Sequence, residues 1–512
     1  MNPSENLSDR SASLNIPSAA SSAALRFESG EGNRARATHA SIETTLEFAG
    51  FRKDQIRAIY YGNWLRDYSQ LLDPKLVRAS SMPKNFPQVL SREALTKVVD
   101  VLAVREFPDL MVADRSRFLV TPERLGVYRP TEHIDNPKAV NPSPANPRER
   151  DEDFEDWILP GDPRLEVDPD TSMKRYLQRS VDVMNAEFSK AMEAGPESTD
   201  GLRALGAALH ILEDFFAHSN FVELSLIKLG HTQVLPWTSE APCKHRLPLV
   251  TGLFGGSDII ASLAAPLGKI LFSKDEKPFE ATQAGTRYER DKVLLILLGE
   301  HPDPRFLQGY EAFLAARDKW ASLPFSEQVE KFYYFLGTPG KILSSAVGTV
   351  MQGLTTWFGN SVDDFQTSLG DDPNTSGSTD PSHSQLAKDH AEHPLHLLAT
   401  ALARKAVQEV GQAVLARWRD KDAEHPAQIA ARYFAHPMDS AWQDDLVRAW
   451  AANNPGPVQR ATLKTDLIDG QTRLRNNAQE ALQRFRNEGA GFLDTFNQGS
   501  SLSDLWNRIT GK

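Results

Sequence analysis

Residues 210 to 223 read HILEDFFAHSNFVE and set His210, Asp214 and His218 at successive four-residue steps. On an α-helix these three fall within ~80° of arc, so one face carries imidazole, carboxylate and imidazole. Leu209, Ile211, Leu212, Phe215 and Phe216 surround them, and only Glu213 interrupts the apolar run. A helix that is apolar nearly all round is usually buried. Buried ionisable groups must be paired or bound to a metal, and neutral imidazole with carboxylate is a common zinc ligand set. The alternative is a hydrogen-bonded polar network. Asn220 and Glu223 add to the local density of polar groups. Glu223 lies ~220° round a continuous helix from His210. It reaches the same site only if the helix bends near Ser219 and Asn220; otherwise it serves another contact.

A second cluster follows in DPSHSQLAKDHAEHPLH, with His383, Asp389, His390, His393 and His396. On a continuous helix His383 and His390 are two turns apart and share a face. Asp389 then faces elsewhere, where it suits an acceptor role toward another histidine. The alternative is a polar helix start with capping residues. Smaller signals are His39 and Glu43 at i, i+4, Asp67 among aromatics in GNWLRDYSQ, and His133 with Asp135 in EHIDNP. In a metal-dependent hydrolase, Glu43 or Asp135 is the candidate general base or the orienting partner of a ligand histidine. The candidate ligands are His39, Asp67, His133, His210, Asp214, His218, Glu223, His383, Asp389 and His390, holding a divalent metal, with zinc the first choice.

THASIE (38–43), GNWLRDYSQ (62–70), LGVYRPTEHIDNP (125–137), HILEDFFAHSNFVEL (210–224), LVTGLFGGSD (249–258) and PSHSQLAKDH (381–390) together resemble the Het-C family, named for fungal heterokaryon incompatibility. The resemblance implies a cell-death or toxin-like role linked to membranes. A more distant likeness is to the helical zinc-dependent phospholipases C and the single-strand-specific zinc nucleases. Carried over by motif, His210, Asp214 and His218 look like ligands, Asp67 like a bridging ligand, and His39, His133 and His383 like the residues completing neighbouring metals. Those enzymes use a mature N-terminal Trp as a ligand and repeat His-x3-acid on the later helix. Here Ala387 stands four residues after His383.

The elements that must position these groups read as helices. Apolar spacing predicts them over 38–48, 56–72, 91–106, 170–194, 199–229, 306–323 and 384–418, with an interruption at Pro394. Residues 121–150 read as a long Pro-rich loop. Alternating strand patterns are almost absent, so the expected fold is mainly α, a large helical bundle with long irregular loops. The expected divisions are a disordered tail at 1–36, a Het-C-like helical domain at 37–420 with a flexible loop at 359–381, and a helical extension at 421–512.

Cys243 is the single cysteine of the 512-residue chain, which excludes an intrachain disulfide and any cysteine-based zinc cage. A net charge of −11 argues against a mainly electrostatic nucleic-acid binder, so no nucleic-acid partner is expected. No signal peptide is evident in MNPSENLSDRSASLNIPSAASSAALRF. The chain is therefore expected to be cytoplasmic as synthesised, exported by a signal-peptide-independent route if at all, and membrane-associated when active. Residues 342–362 carry no charge and have one apolar helical face, and 257–272 show a weaker version. Both suit either a membrane surface or pore wall, or the inside of a bundle. Membrane lipid, an immunity or regulatory protein, and further copies of the chain on the membrane are the expected partners. The favoured function is a cell-death or antagonism toxin acting at membranes with metal support; the alternative is a metal-dependent phosphodiester hydrolase, phospholipase C-like sooner than nuclease.

Overall fold

Thr38 begins the described structure as a helix cap. Its Oγ1 accepts from Ser41 N at 3.2 Å and its own N donates to Ser41 Oγ at 2.8 Å, the reciprocal pattern of a capping box. The computed structural model describes residues 38–86, 88–139, 145–254, 270–271, 284–321, 348, 350, 372–390, 393–468, 483 and 487. Within them run α1 (His39–Glu43), α2 (Leu46–Ala49), α3 (Lys53–Ser69), α4 (Arg92–Glu106), α5 (Pro108–Phe118), α6 (Pro122–Leu125), α7 (Leu177–Ala194), α8 (Thr199–His218) and α9 (Phe221–Lys228). Next come α10 (Glu289–Gly299), α11 (Pro304–Ala321), α12 (His383–Leu386), α13 (His396–Arg419), α14 (Pro426–Ala431), α15 (Asp444–Asn453) and α16 (Pro455–Arg460). The only named strands among the described residues are the two-residue parallel pair β1 (Val77–Arg78) and β2 (Leu90–Ser91). The fold is mainly α, as the apolar spacing predicts.

Helix α8 is the axis of the molecule, with α3, α7 and α13 packed around it and α1 and α2 laid on α13. Two glycines set how close α3 comes. A Cβ on Gly62 would lie 2.1 Å from Arg203 O, and one on Gly206 would lie 1.9 Å from Ile59 O. The two backbones therefore touch without side chains between them. This contact brings Asn63 and Asp67 of α3 level with His210 and Asp214 of α8.

α8 stops at Ser219, which turns extended (φ −110°, ψ 166°) and pairs with Thr251 in an isolated antiparallel bridge. Asn220 is fully buried; its Nδ2 donates to Pro236 O at 2.9 Å and Pro248 O at 3.0 Å, and its Oδ1 accepts from Val250 N at 2.9 Å. The predicted helix over 199–229 is thus two helices, broken where the polar pair Ser-Asn finds loop partners. The same crossing segment continues to residue 382. Asn136 N donates to Gly252 O at 2.8 Å, Leu253 N to Pro381 O at 2.9 Å, and His383 N to Leu253 O at 2.8 Å. Residues 249–253 therefore stitch together the end of α8, the 133–136 loop and the start of α12.

The later histidine segment departs from the predicted helix. α12 ends at Leu386, Ala387 is non-helical (φ −55°, ψ 115°), and helix resumes only at His396. His383 and His390 consequently do not share a helix face. Lys388 explains the early stop: its buried ammonium donates to Leu386 O at 2.7 Å, Ser219 O at 2.8 Å and Glu223 Oε1 at 3.0 Å. Helix 170–194 likewise begins late, at Leu177.

One hydrophobic core runs from Ile42 to Ala461 and includes Tyr433, Phe434, Val447, Trp450 and Val458 from the region beyond 420. The described part of that region thus packs into the same core as α8 and α13. Residues 372–381, the end of the segment expected to be a flexible loop, are tied down. Asn374 Oδ1 accepts from Trp237 N at 2.8 Å, and Asp380 accepts from Lys138 and Lys174 at 2.7 Å each. The 1–36 tail, residues 359–371, and most of 257–272 and 342–362 lie outside the described residues. The described apolar members of those two amphipathic stretches, Ile270, Leu271 and Val350, are buried in the main core. No helix among the described residues is long and apolar enough to cross a membrane.

Candidate metal centre

Asp214 stands at the middle of the polar cluster that α8 carries into the core. Its Oδ1 faces His39 Nε2 at 3.7 Å. Its Oδ2 faces three imidazoles: His210 Nε2 at 3.0 Å, His133 Nδ1 at 3.7 Å and His218 Nδ1 at 3.8 Å. Yet Oδ2 and His218 Nδ1 are buried with no hydrogen-bond partner among the described residues. Buried polar atoms are rarely left so. Donor atoms that crowd one another without bonding are arranged around a common point, as metal ligands are.

The outward nitrogens of the same rings are engaged. His39 Nδ1 donates to Glu213 Oε2 at 2.5 Å, His210 Nδ1 to Asn63 Oδ1 at 3.0 Å, and His218 Nε2 faces Asp389 Oδ2 at 3.4 Å. Each outer bond fixes the tautomer and turns the other nitrogen of the ring inward, toward Asp214. Asn63 completes the frame by donating to Glu43 Oε1 at 2.9 Å and Glu213 Oε2 at 3.2 Å. Two groups of three donors result, each within 4.8 Å of mutual contact: His39 with His210 and Asp214, and Asp135 with His218 and His383. In the second group His383 Nδ1 lies 3.0 Å from Asp135 Oδ1, and Tyr128 Oη donates to Asp135 Oδ2 at 3.0 Å.

The other predicted residues fall around these groups. His133 is fully buried between them, with Nδ1 3.1 Å from both His210 Nε2 and Gln70 Nε2. Asp67 lies 3.8 Å from His39 Nε2, at the rim and in neither group; Asp214, of the first group, also faces His218 of the second at 3.8 Å. Asp389 is an acceptor for His218. Glu43 stands outside both groups, held by Asn63, and Asp135 sits among the candidate ligands instead of apart as a base. Glu223 does not join. The break at Ser219 turns it to Lys388, and the buried ion pair uses it. His390 belongs to neither group; its ring neighbour is His393, at 6.0 Å between centroids.

A family model described as heterokaryon incompatibility protein Het-C matches residues 14–275, just over half of the chain. The chain belongs to the Het-C family. No curated protein and no solved structure matches it, and none of the comparisons adds a likeness to phospholipases C or nucleases. Seven of the candidate donors of this Het-C chain, from His39 to His218, lie in the matched region, whereas His383 and Asp389 are supplied from beyond it.

Charge in the Het-C centre is set by burial. Burial drives the His210 imidazole down to about 3, against the pull of Asp214, so the ring is neutral and ready to ligate. Burial works to raise Asp214, but His210 and His218 hold its carboxyl well below the usual range. Burial raises Glu43 and Glu213 well above theirs, Glu213 adding repulsion at Glu43. A mixed imidazole and carboxylate set of this kind suits zinc and neighbouring first-row ions.

Two expectations follow for the Het-C centre. The unfolded chain protonates His210 near the ordinary 6.5, the folded chain only near 3. Between these values the unfolded state binds more protons, so this contribution is complete above 6.5 and is lost as pH falls. Chelator-treated protein is expected to lose about 2 kcal/mol more than His210→Gln between about pH 6.5 and about pH 5, read by urea unfolding. Equal slopes for the two proteins would show that His210 is already charged in the fold. The second expectation concerns Gly252, where a Cβ would lie 2.3 Å from His383 Cα. Gly252→Ala is expected to push His383 from Asp135 and lower bound metal, with far-ultraviolet dichroism unchanged; full metal content would sink this reading.

Proposed function

We propose that this Het-C family chain is a metal-dependent phosphodiester hydrolase that acts on membrane phospholipid in a cell-death or antagonism role. The observation that carries the proposal is the Asp214 carboxylate, set between two three-donor groups with Oδ2 buried, unbonded and ringed by imidazoles. A purely structural zinc site needs four donors and is closed. Here more donors converge than one ion needs. A carboxylate shared between neighbouring ions is the pattern of two-metal hydrolases. Ions held by His39, His210 and Asp214 and by Asp135, His218 and His383 would lower the pKa of a bound water and polarise a phosphoryl oxygen.

The protein's own part is to aim and to exclude. Glu213 and Asn63 hold His39 and His210 with their other ring nitrogens turned inward. Tyr128 fixes Asp135, and Asp389 fixes His218. Ring packing of His218 on His383, at 4.3 Å between centroids, and of Phe254 edge-on to His383 keeps bulk water from that side. Asp67 and Asp389 keep side-chain exposures of 13% and 14%, and mark the rims where a phosphate group has access. The acidic balance favours a lipid phosphodiester over nucleic acid.

Zinc as the ion, an immunity or regulatory protein as partner and assembly on the membrane are part of the same proposal. Elemental analysis beside phosphatidylcholine hydrolysis tests it, with wild type, chelated protein and His210→Ala compared. Metal bound in wild type, with headgroup release lost in the other two, supports the reading. Metal-free protein that is well folded, or metal-loaded protein that leaks liposomes without releasing headgroup, overturns it.

A further inference from the structure

We propose that the cavity between α3, α6, α7 and α8 is a binding site for a phosphorylated anion, separate from the metal donors. The cavity has a volume of about 520 Å³, within the ~300–1,000 Å³ of small-molecule sites. Five guanidinium groups line it; Arg92 and Arg129 face Asp153 and Glu132, which leaves Arg66 from α3, Arg124 from α6 and Arg203 from α8. Arg66 is committed to Glu132 at 2.5 Å and to two carbonyls. The other two are not matched by buried anions. Arg124 donates to the backbone oxygens of Ser116 at 3.1 Å and Leu119 at 2.9 Å and has no ion-pair partner among the described residues. Among the described residues Arg203 pairs only with the exposed Asp200, at 3.3 Å.

The remaining acids of the wall leave this excess standing. Glu132, Asp153 and Glu187 are already paired with Arg66, Arg92 and Lys190, and Glu123 is exposed. Burial pulls the Arg203 guanidinium below its usual range, and the charges of Arg124 and Arg66 push the same way. A phosphate group relieves all three strains at once: it accepts from guanidinium forks bidentately and neutralises their repulsion. Arg203, Ala204, Ala207 and Ile211 form a stripe that leads along α8 toward Asp214, so the ligand lies beside the metal centre. No candidate metal donor lines the cavity.

Calorimetric titration of metal-loaded protein with pyrophosphate and with glycerol 3-phosphate tests the proposal. Sedimentation with phosphatidylcholine vesicles, with and without phosphatidic acid, separates a free phosphate ester from a lipid headgroup. Saturable binding of either soluble probe, or of phosphatidic acid vesicles alone, is expected. It should weaken at least tenfold in Arg203→Gln and Arg124→Gln while metal content stays at the wild-type level. Should Arg203→Gln fail to fold, Arg124→Gln decides. No saturable binding of any probe by wild type, or binding that both variants retain in full, overturns the proposal. Loss of hydrolysis with phosphate binding intact would count against the metal reading alone.

Discussion

Asp214→Asn is expected to empty both donor groups at once. Asn keeps the shape of the side chain but loses its charge and one of the two oxygens. Those oxygens face His39 on one side and His133, His210 and His218 on the other. In the two-ion reading, wild type carries ~2 equivalents of metal and Asp214→Asn close to none. His383→Ala should remove only the ion of the second group, since the first is built from His39, His210 and Asp214 without it. Elemental analysis of the three proteins after desalting decides. One equivalent left in Asp214→Asn would assign that carboxylate to a single ion. Two left would mean that the unbonded Oδ2 has some other cause.

The second large effect belongs to a residue with no chemistry. Gly206→Ala is expected to destabilise the protein by about 3 kcal/mol or to prevent folding, at the upper end of overpacking costs. The added Cβ meets Ile59 O at 1.9 Å and Asn63 N at 2.7 Å, both backbone atoms of a helix interior that cannot swing aside. Gly62→Ala meets Arg203 O at 2.1 Å and should behave alike. Gly299, where a Cβ meets nothing within 4 Å, is the control and should tolerate Ala with little change. Urea midpoints at fixed pH make the comparison. Near-wild-type stability in Gly206→Ala would mean that α3 and α8 can separate without cost, and the positioning argument for Asn63 and Asp67 would fail.

Periodicity was enough to see α8 as buried and its three donors as one face, because four-residue spacing is a local property of the chain. A bend near Ser219 was legible only as a condition on Glu223; the spacing over 199–229 otherwise predicts a continuous helix. Contacts between distant segments were not legible. Glu213 and Asn63 orient the ligand histidines, yet in sequence one reads as a stray acid in an apolar helix and the other as part of GNWLRDYSQ. A buried acid that breaks an apolar face was the available signal. Glu223 was drawn toward the site by proximity alone; Lys388, 165 residues away, takes it instead. His390 was drawn in by assuming a helix that three acceptors around Lys388 end early. The choice of Asp214 over Asp67 as the shared carboxylate depends on where α3 rests on α8, which no spacing rule contains.

The donors of the two groups begin at residue 39 and end at residue 383, and they come from α1, α8, α12 and the loop between. An ion held there is a clasp over most of the chain. Closing so long a loop is entropically little worse than closing one half its length, but the donors cannot meet until the distant segments have docked. Ion capture would therefore be a late event, a seal on a finished molecule instead of a seed for it. The same geometry runs in reverse. A protease that nicks any loop between those ends leaves the pieces held together while the ion stays, and stripping the ion then lets them part. Limited proteolysis followed by chelation would make the clasp visible as two fragments that separate only in the second step.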